Sequence, residues 1–338
     1  MRLLVLGGTA WLGYRIAATA LERGHQVTCL ARGRSIPDGA TLVHADRDEP
    51  GALDAVARDH WDAVIDVARQ PGHVRRAVAA LEPVTERYVF VSSCSVYTSQ
   101  ARIGAGESEP TFEPLDADLM ASPEDYGRAK VACEQAVLEA FGVERSLIAR
   151  AGLIGGPGDP SGRSTYWPWR FSHPSTASGP VLVPDAPELP TALLDVRDLA
   201  AWLVDAADPG RSGPRRSGVM NAMGQPRALP DHLQLVQSLS RHQGRVVAAP
   251  EPWLIEHGVA EWSGSRSMPL WLADPSWYGM NARSIDRALA AGLALRPLEQ
   301  TVRDILTDQS TQAAPPSGAG LTDEDERELL AELDRLTR

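Results

Sequence analysis

Tyr126 and Lys130 stand four residues apart in Y-G-R-A-K, and in a helix that spacing sets both side chains on one face. A phenol with its ordinary pKa of about 10 is a poor proton donor or acceptor near neutrality. An ammonium beside it favours the phenolate and makes tyrosine a usable acid/base. A serine hydroxyl could hold a substrate oxygen next to that phenol. Ser92-Ser93-Cys94-Ser95-Val96-Tyr97 supplies hydroxyls upstream of the pair. Tyr-x-x-x-Lys by itself arises often by chance, so its meaning depends on what else the chain carries.

Near the N-terminus the chain reads R-L-L-V-L-G-G-T-A-W-L-G from Arg2 to Gly13. An apolar run of strand length breaks at Gly7-Gly8, and a helical pattern opens at Trp11. Strand, glycine turn and helix in that order bring backbone N–H groups and a positive helix end to one point, which suits a pyrophosphate. Gly7 permits the tight turn and Gly13 lets the helix pack closely, while Ala10 takes the place of the usual middle glycine. Gly7, Thr9, Ala10, Trp11, Leu12 and Gly13 are therefore expected to contact a dinucleotide. An acid at the end of the second strand would accept hydrogen bonds from a free ribose 2′-hydroxyl and repel a 2′-phosphate. Here that position reads Leu30-Ala31-Arg32-Gly33-Arg34, and two guanidinium groups suit a phosphate. NADP(H) is expected over NAD(H), which remains possible. Asp46 and Arg47 end the third strand, within reach of an adenine, and Ala68 follows the fourth.

The elements that must position these residues alternate regularly. Strands are expected at Val27–Leu30, Thr41–His44, Ala63–Val67, Tyr88–Val91, Ser146–Arg150 and Gly218–Asn221, with helical pattern between them. This describes an α/β protein, a Rossmann-type doubly wound parallel sheet with a smaller interleaved C-terminal substrate lobe. The dinucleotide-binding domain is expected over 1–160 with return segments near 190–222, and the substrate lobe over 161–189 and 223–308. Residues 309–338 read as a Ser/Ala/Pro/Gly linker followed by a helix with an apolar stripe of Leu329, Leu330, Leu333 and Leu336. The ligand cleft is expected at the C-terminal ends of the strands. Trp167, Trp169, Trp253, Trp262, Trp271 and Trp277 all fall in the lobe; Trp167 and Trp169, beside Arg163 and Tyr166, are the candidates to face ligand, with Arg163 and Trp167 taken as substrate-binding.

A net charge of −11 over 338 residues argues against a general nucleic-acid or anionic-membrane binder. The N-terminal apolar run is broken too early for a secretory leader, and no run is long enough to span a bilayer. Cys29, Cys94 and Cys133 are widely spaced, which fits reduced thiols in a cytoplasmic protein, and no cluster has metal-ligand spacing.

Taken together, G-G-T-A-W-L-G, V-S-S-C-S-V-Y, Y-G-R-A-K, R-A-G-L-I-G-G-P-G-D from Arg150 and L-D-V-R-D-L-A from Leu194 resemble the extended short-chain dehydrogenase/reductase, or NAD-dependent epimerase/dehydratase, family. The resemblance implies that Tyr126 is the acid/base, that Lys130 serves both the nicotinamide ribose and the phenol, and that Ser93 binds the reacting oxygen. Ser93 is preferred to Ser92 because the family hydroxyl lies four residues before the tyrosine of V-Y, here Tyr97. Cys94 would then lie at the substrate. Three departures narrow the reaction. The Asp-Glu pair of sugar dehydratases is replaced by Cys94 and Ser95. The asparagine that nucleotide-sugar epimerases carry after the sixth strand is Leu153. Arg32 and Arg34 suit an exchangeable NADPH rather than a tightly held NAD.

The leading expectation is an NADPH-dependent reductase of a carbonyl on a small molecule or sugar. The alternatives are a sugar epimerase using the same residues, and a non-catalytic dinucleotide-sensing or RNA-associated module. The family's pairing through the Tyr126 helix, with Val131, Ala132, Ala136 and Val137, implies a homodimer.

Overall fold

The computed structural model describes residues 1–176, 179–208, 210 and 216–336, the side chain of Leu336 excepted. By internal contact the chain forms two units, each assembled from separated stretches. Met1–Gly152, Val196–Met223 and Arg283–Ala294 make the first, and Leu153–Asp195, Gly224–Ala282 and Leu295–Arg338 the second.

Six strands of the first unit are β1 (Arg2–Leu6), β2 (Gln26–Ala31), β3 (Thr41–His44), β4 (Trp61–Asp66), β5 (Thr85–Ser93) and β6 (Ser146–Ala151). With Gly218–Ala222 they form a seven-stranded sheet in the order β3-β2-β1-β4-β5-β6 and then 218–222. Every pairing is parallel. Leu3, Leu4, Val5 and Leu6 of β1 are wholly buried, as a central strand covered on both faces requires. Helices α1 (Trp11–Glu22), α2 (Pro71–Leu81) and α3 (Tyr126–Phe141) supply the cover, α1 packing with helix Val196–Ala207 and α2 with α3. The strand order reverses between β1 and β4, the switch point at which such sheets open a crevice.

The sequence placed residues 283–294 in the substrate lobe, whereas they pack with the sheet. The Ser284 N–H donates to Ala105 O at 3.0 Å, and Trp202 Nε1 donates to Ala291 O at 3.1 Å. A return this short has no periodicity of its own to show where it docks.

The second unit has its own core of Trp167, Phe171, Leu182, Leu254, Met268 and Trp271. The C-terminal helix Asp323–Leu336 docks onto it. Buried Arg170 meets Asp323 at 2.7 Å and Glu326 at 3.3 Å, and Glu326 also accepts the Leu182 N–H at 3.0 Å. Leu329 and Leu330 are buried, whereas the Leu336 side chain lies outside the described residues. Thr322 caps the helix, its Oγ1 accepting the Asp325 N–H at 3.1 Å. The stretch 309–320, read as a flexible linker, is instead stitched down. The Gly264 N–H donates to Gly318 O at 3.1 Å, and the Gly320 N–H to Ser267 Oγ at 3.0 Å. Among the described residues, no helix is long and apolar enough to cross a membrane.

Candidate functional site

The glycine loop is shaped by two close approaches. Gly7 has φ +97°, a conformation costly for any residue with a side chain, and its N–H donates to Leu30 O at 2.9 Å. A Cβ on Gly13 would lie 2.1 Å from Gly7 O, so only glycine lets the first turn of α1 rest on the loop. Beside it opens a cavity of about 400 Å³ lined by Gly7, Thr9, Ala10, Arg32, Asp46, Arg47 and His73 among others. That size is ordinary for a small-molecule site. Arg32 is exposed and stands 3.6 Å from Asp46 across this wall. Six sequence candidates thus converge, whereas Arg34 is exposed and Trp11, Leu12, Gly13 and Ala68 do not line the cavity. His73 was not anticipated. Its Nε2 lies 2.6 Å from Asp48 Oδ1, and that hydrogen bond holds the Asp48 carboxyl below its usual range. These residues fit a dinucleotide: a backbone cradle that a Cβ would fill, and a guanidinium where a ribose phosphate would arrive.

Arg47 plays a different part from the one expected. Its guanidinium grips Asp66 through two bonds of 3.0 Å, so it builds the wall with its charge already matched. Asp66, wholly buried at the end of β4, also accepts Tyr88 Oη at 2.8 Å and the Ala68 N–H at 2.9 Å. All of its strong acceptor directions are taken. Burial, with the Asp66 charge beside it, pushes the Tyr88 phenol well above its ordinary pKa. Sequence reasoning missed this hub, because a lone Asp at a strand end does not reveal its partners.

Ala68 then connects the hub to Lys130. The ammonium, 2% exposed, donates to Ala68 O at 2.7 Å and Val91 O at 2.6 Å, and lies 4.2 Å from the centre of the Phe90 ring. Two of its three N–H groups are engaged, leaving one for a ligand. Tyr126, half-buried, is the first residue of α3. The next residue, Gly127, has no room for a Cβ, which would meet Ser95 O at 2.4 Å and the Phe112 ring at 3.0 Å. The start of α3 is therefore pressed against the turn that follows β5.

In that turn the two neighbouring serines diverge. Ser92 Oγ is buried and donates to Glu134 at 2.5 Å. Ser93 is half-buried; its Oγ donates to Ser95 Oγ and accepts the Ser95 N–H, both at 3.1 Å. Ser93 is thus the hydroxyl turned away from the core. Cys94, expected at the substrate, points inward: it is 2% exposed, its Sγ donates to Arg150 O at 3.2 Å, and burial pushes the thiol up to about 12. It opens the 3-10 turn Cys94–Val96 that follows β5, and that turn carries it into the core. Trp167 is likewise a correction. It is 1% exposed in the core of the second unit, with Nε1 donating to Pro269 O at 2.8 Å, so it packs rather than faces a ligand. Arg163 in the same unit is half-buried, its guanidinium 5.4 Å from the Trp262 ring centre.

Comparisons with known proteins bear on the family and the fold. The chain is 24% identical over 217 residues to the chloroplast stem-loop binding protein of 41 kDa b from Arabidopsis thaliana, covering 59% of this chain and 53% of that one. It is 30% identical over 180 residues to the 2-alkyl-3-oxoalkanoate reductase of Stenotrophomonas maltophilia, covering 47% and 52%. The chain thus spans about half the length of these two curated relatives. Among solved structures, the UDP-N-acetylglucosamine 4-epimerase of Bacillus cereus superposes with a TM-score of 0.66 at 15% identity, covering 94% of this chain and 99% of that one. The UDP-glucose 4-epimerase of Thermotoga maritima gives 0.62 at 14% identity, covering 92% and 100%. At such identities the superpositions establish the fold. A model of the NAD dependent epimerase/dehydratase family matches residues 3–216, the stretch that carries the glycine loop, Ser93, Tyr126 and Lys130, and the chain belongs to that family.

Proposed function

We propose that the protein reduces a carbonyl group on a small molecule or sugar, with NADPH as the preferred cofactor. The observation that carries this reading is the tight packing of the start of α3, which bears Tyr126, on the turn after Ser93, with Lys130 one helical turn further on held by two carbonyls. The bound nicotinamide supplies the hydride. The chain supplies the rest: Ser93 holds the carbonyl oxygen, Tyr126 delivers the proton that completes the alcohol, and the free N–H of Lys130 serves ribose and phenol. The reductase relative acts, by its name, on 2-alkyl-3-oxoalkanoates, which makes 3-oxo acids the first carbonyls to try. A sugar epimerase would use the same three side chains, and the family name supports that second reading.

NADPH is favoured because Arg32 stands on the cavity wall with only a loose 3.6 Å contact to Asp46, leaving a guanidinium for a 2′-phosphate. The same reading makes the protein cytoplasmic, which three buried, unbridged cysteines support. It also makes it a homodimer through α3, where Val131 and Ala136 remain partly exposed although Ala132 and Val137 pack within the chain.

Titration with NADPH and NADH tests the cofactor, and NADPH consumption over 3-oxo acids, ketones and nucleotide sugars tests the reaction. NADPH is expected to bind more tightly, and Arg32→Ala to weaken it ~10-fold, the value of one charge-assisted hydrogen bond, while leaving NADH unchanged. Equal affinities, or an Arg32→Ala variant that keeps the gap, would remove the NADPH assignment. Isomerised sugar without net NADPH consumption would select the epimerase.

A further inference from the structure

Arg283 is 3% exposed, yet its Nε and Nη1 have no hydrogen-bond partner, and no carboxylate pairs with it among the described residues. A buried cation without a counter-charge is costly, and a ligand that brought the missing charge would offset that cost. The surroundings sharpen the point. Arg150 approaches the Tyr97 ring at 4.8 Å, but Glu134 neutralises it through both carboxylate oxygens. Arg283 lies 3.7 Å from the centre of the same ring and has no such carboxylate bonded to it among the described residues. Glu109, the acid whose field reaches it, is engaged by Arg102 at 2.8 Å.

The position of this cation relates it to the candidate site. Nη2 donates to Ser99 O and Gln100 Oε1, both at 2.7 Å, and Gln100 Nε2 donates to Cys94 O at 3.1 Å, one residue beyond Ser93. Tyr97, on which the guanidinium rests, belongs to the same turn. The charge is therefore fixed to the segment that presents Ser93, and not to a remote surface.

We propose that Arg283 receives an anionic oxygen group of the substrate, a carboxylate or a phosphate, and so selects anionic carbonyl compounds over neutral ones. This deepens the carbonyl-reductase reading and rests on it for the identity of the reacting end. Nε and Nη1 are the two donors that such a group would engage.

The test reads binding rather than turnover. The full chain, with and without NADP⁺, is titrated by calorimetry with acetoacetate, its methyl ester and inorganic phosphate. At least one of the two anions is expected to bind, with acetoacetate preferred to its ester ~10-fold or more if the carboxylate is the group read. Arg283→Met is expected to abolish anion binding while raising Tm, since it removes an uncompensated charge. Should that variant not fold, Arg283→Lys keeps the charge but not the geometry and is expected to bind the anion more weakly. No anion binding by the unmodified protein would overturn the proposal, as would anion binding unchanged in Arg283→Met or Arg283→Lys. Because no turnover is read, such a failure leaves the reductase assignment standing, and absence of NADPH consumption would not erase an Arg283-dependent anion.

Discussion

Asp66 shows how much of this site depends on a single buried carboxylate. It holds Arg47 on the cavity wall, Tyr88 from below and the Ala68 peptide on which Lys130 rests. Asp66→Ala leaves Arg47 buried without its partner, and breaking such a pair costs about 3–5 kcal/mol. Urea unfolding is expected to show that loss, with weakened cofactor binding alongside it. The paired replacement Asp66→Leu with Arg47→Met is expected to regain most of the stability, since well-packed apolar groups replace buried ion pairs at little cost. It should not regain cofactor affinity, because the Ala68 N–H loses its acceptor. A double variant that recovers both would reduce the hub to packing alone. The placement of Tyr126 and Lys130 one helical turn apart in α3 was legible in the sequence because that relation is local. Asp66 and Arg283 were not, because their meaning comes from partners far along the chain.

At the scale of elements, the junction of β1 and α1 was read correctly down to individual positions, since a strand, a glycine turn and a helix follow one another without interruption. Gly13 is its most sensitive point. With Gly7 O only 2.1 Å from where a Cβ would sit, Gly13→Ala must push α1 away from the loop. Overpacking of this kind costs about 1–3 kcal/mol, and it displaces the backbone donors as well. The expected outcome is a lower Tm together with at least a tenfold weaker cofactor, whereas Gly24→Ala, strained by a φ of +78° but with nothing within 4 Å, lowers Tm without weakening the cofactor and serves as the control. Equal cofactor affinity in the Gly13 and Gly24 variants would contradict the cradle. The stretch 309–320 was misread because composition reports only the absence of periodicity. Backbone bonds from Gly264 and Ser267 fix it, and such bonds leave no trace in residue type.

For the whole molecule, alternating apolar segments made the parallel sheet legible, while the second unit's core was not, because its tryptophans suit a ligand pocket as well as a packed interior. Its stability carries a pH signature. His232 is fully buried, and burial, aided by the Arg227 charge, lowers its pKa to about 4. The unfolded chain takes up that proton near the ordinary value of about 6.5, so stability is complete above 6.5 and falls as pH drops toward 4. The slope is ~1.4 kcal/mol per pH unit within that window. Denaturant unfolding at pH 7, 5.5 and 4.5 is expected to show it, and His232→Gln to flatten it; parallel slopes would contradict the assignment. The fold and family place the protein among NAD(P)-dependent oxidoreductases and epimerases. The central claim of the proposed reading is that Ser93, Tyr126 and Lys130 carry out its chemistry. The most direct measurement is the turnover of Tyr126→Phe on a carbonyl that the unmodified protein reduces, with NADPH affinity and Tm recorded on the same samples. Loss of ~10²–10⁴-fold in turnover, with affinity and Tm nearly unchanged, is the expected result for a positioned acid. Turnover that survives the loss of the hydroxyl would contradict it.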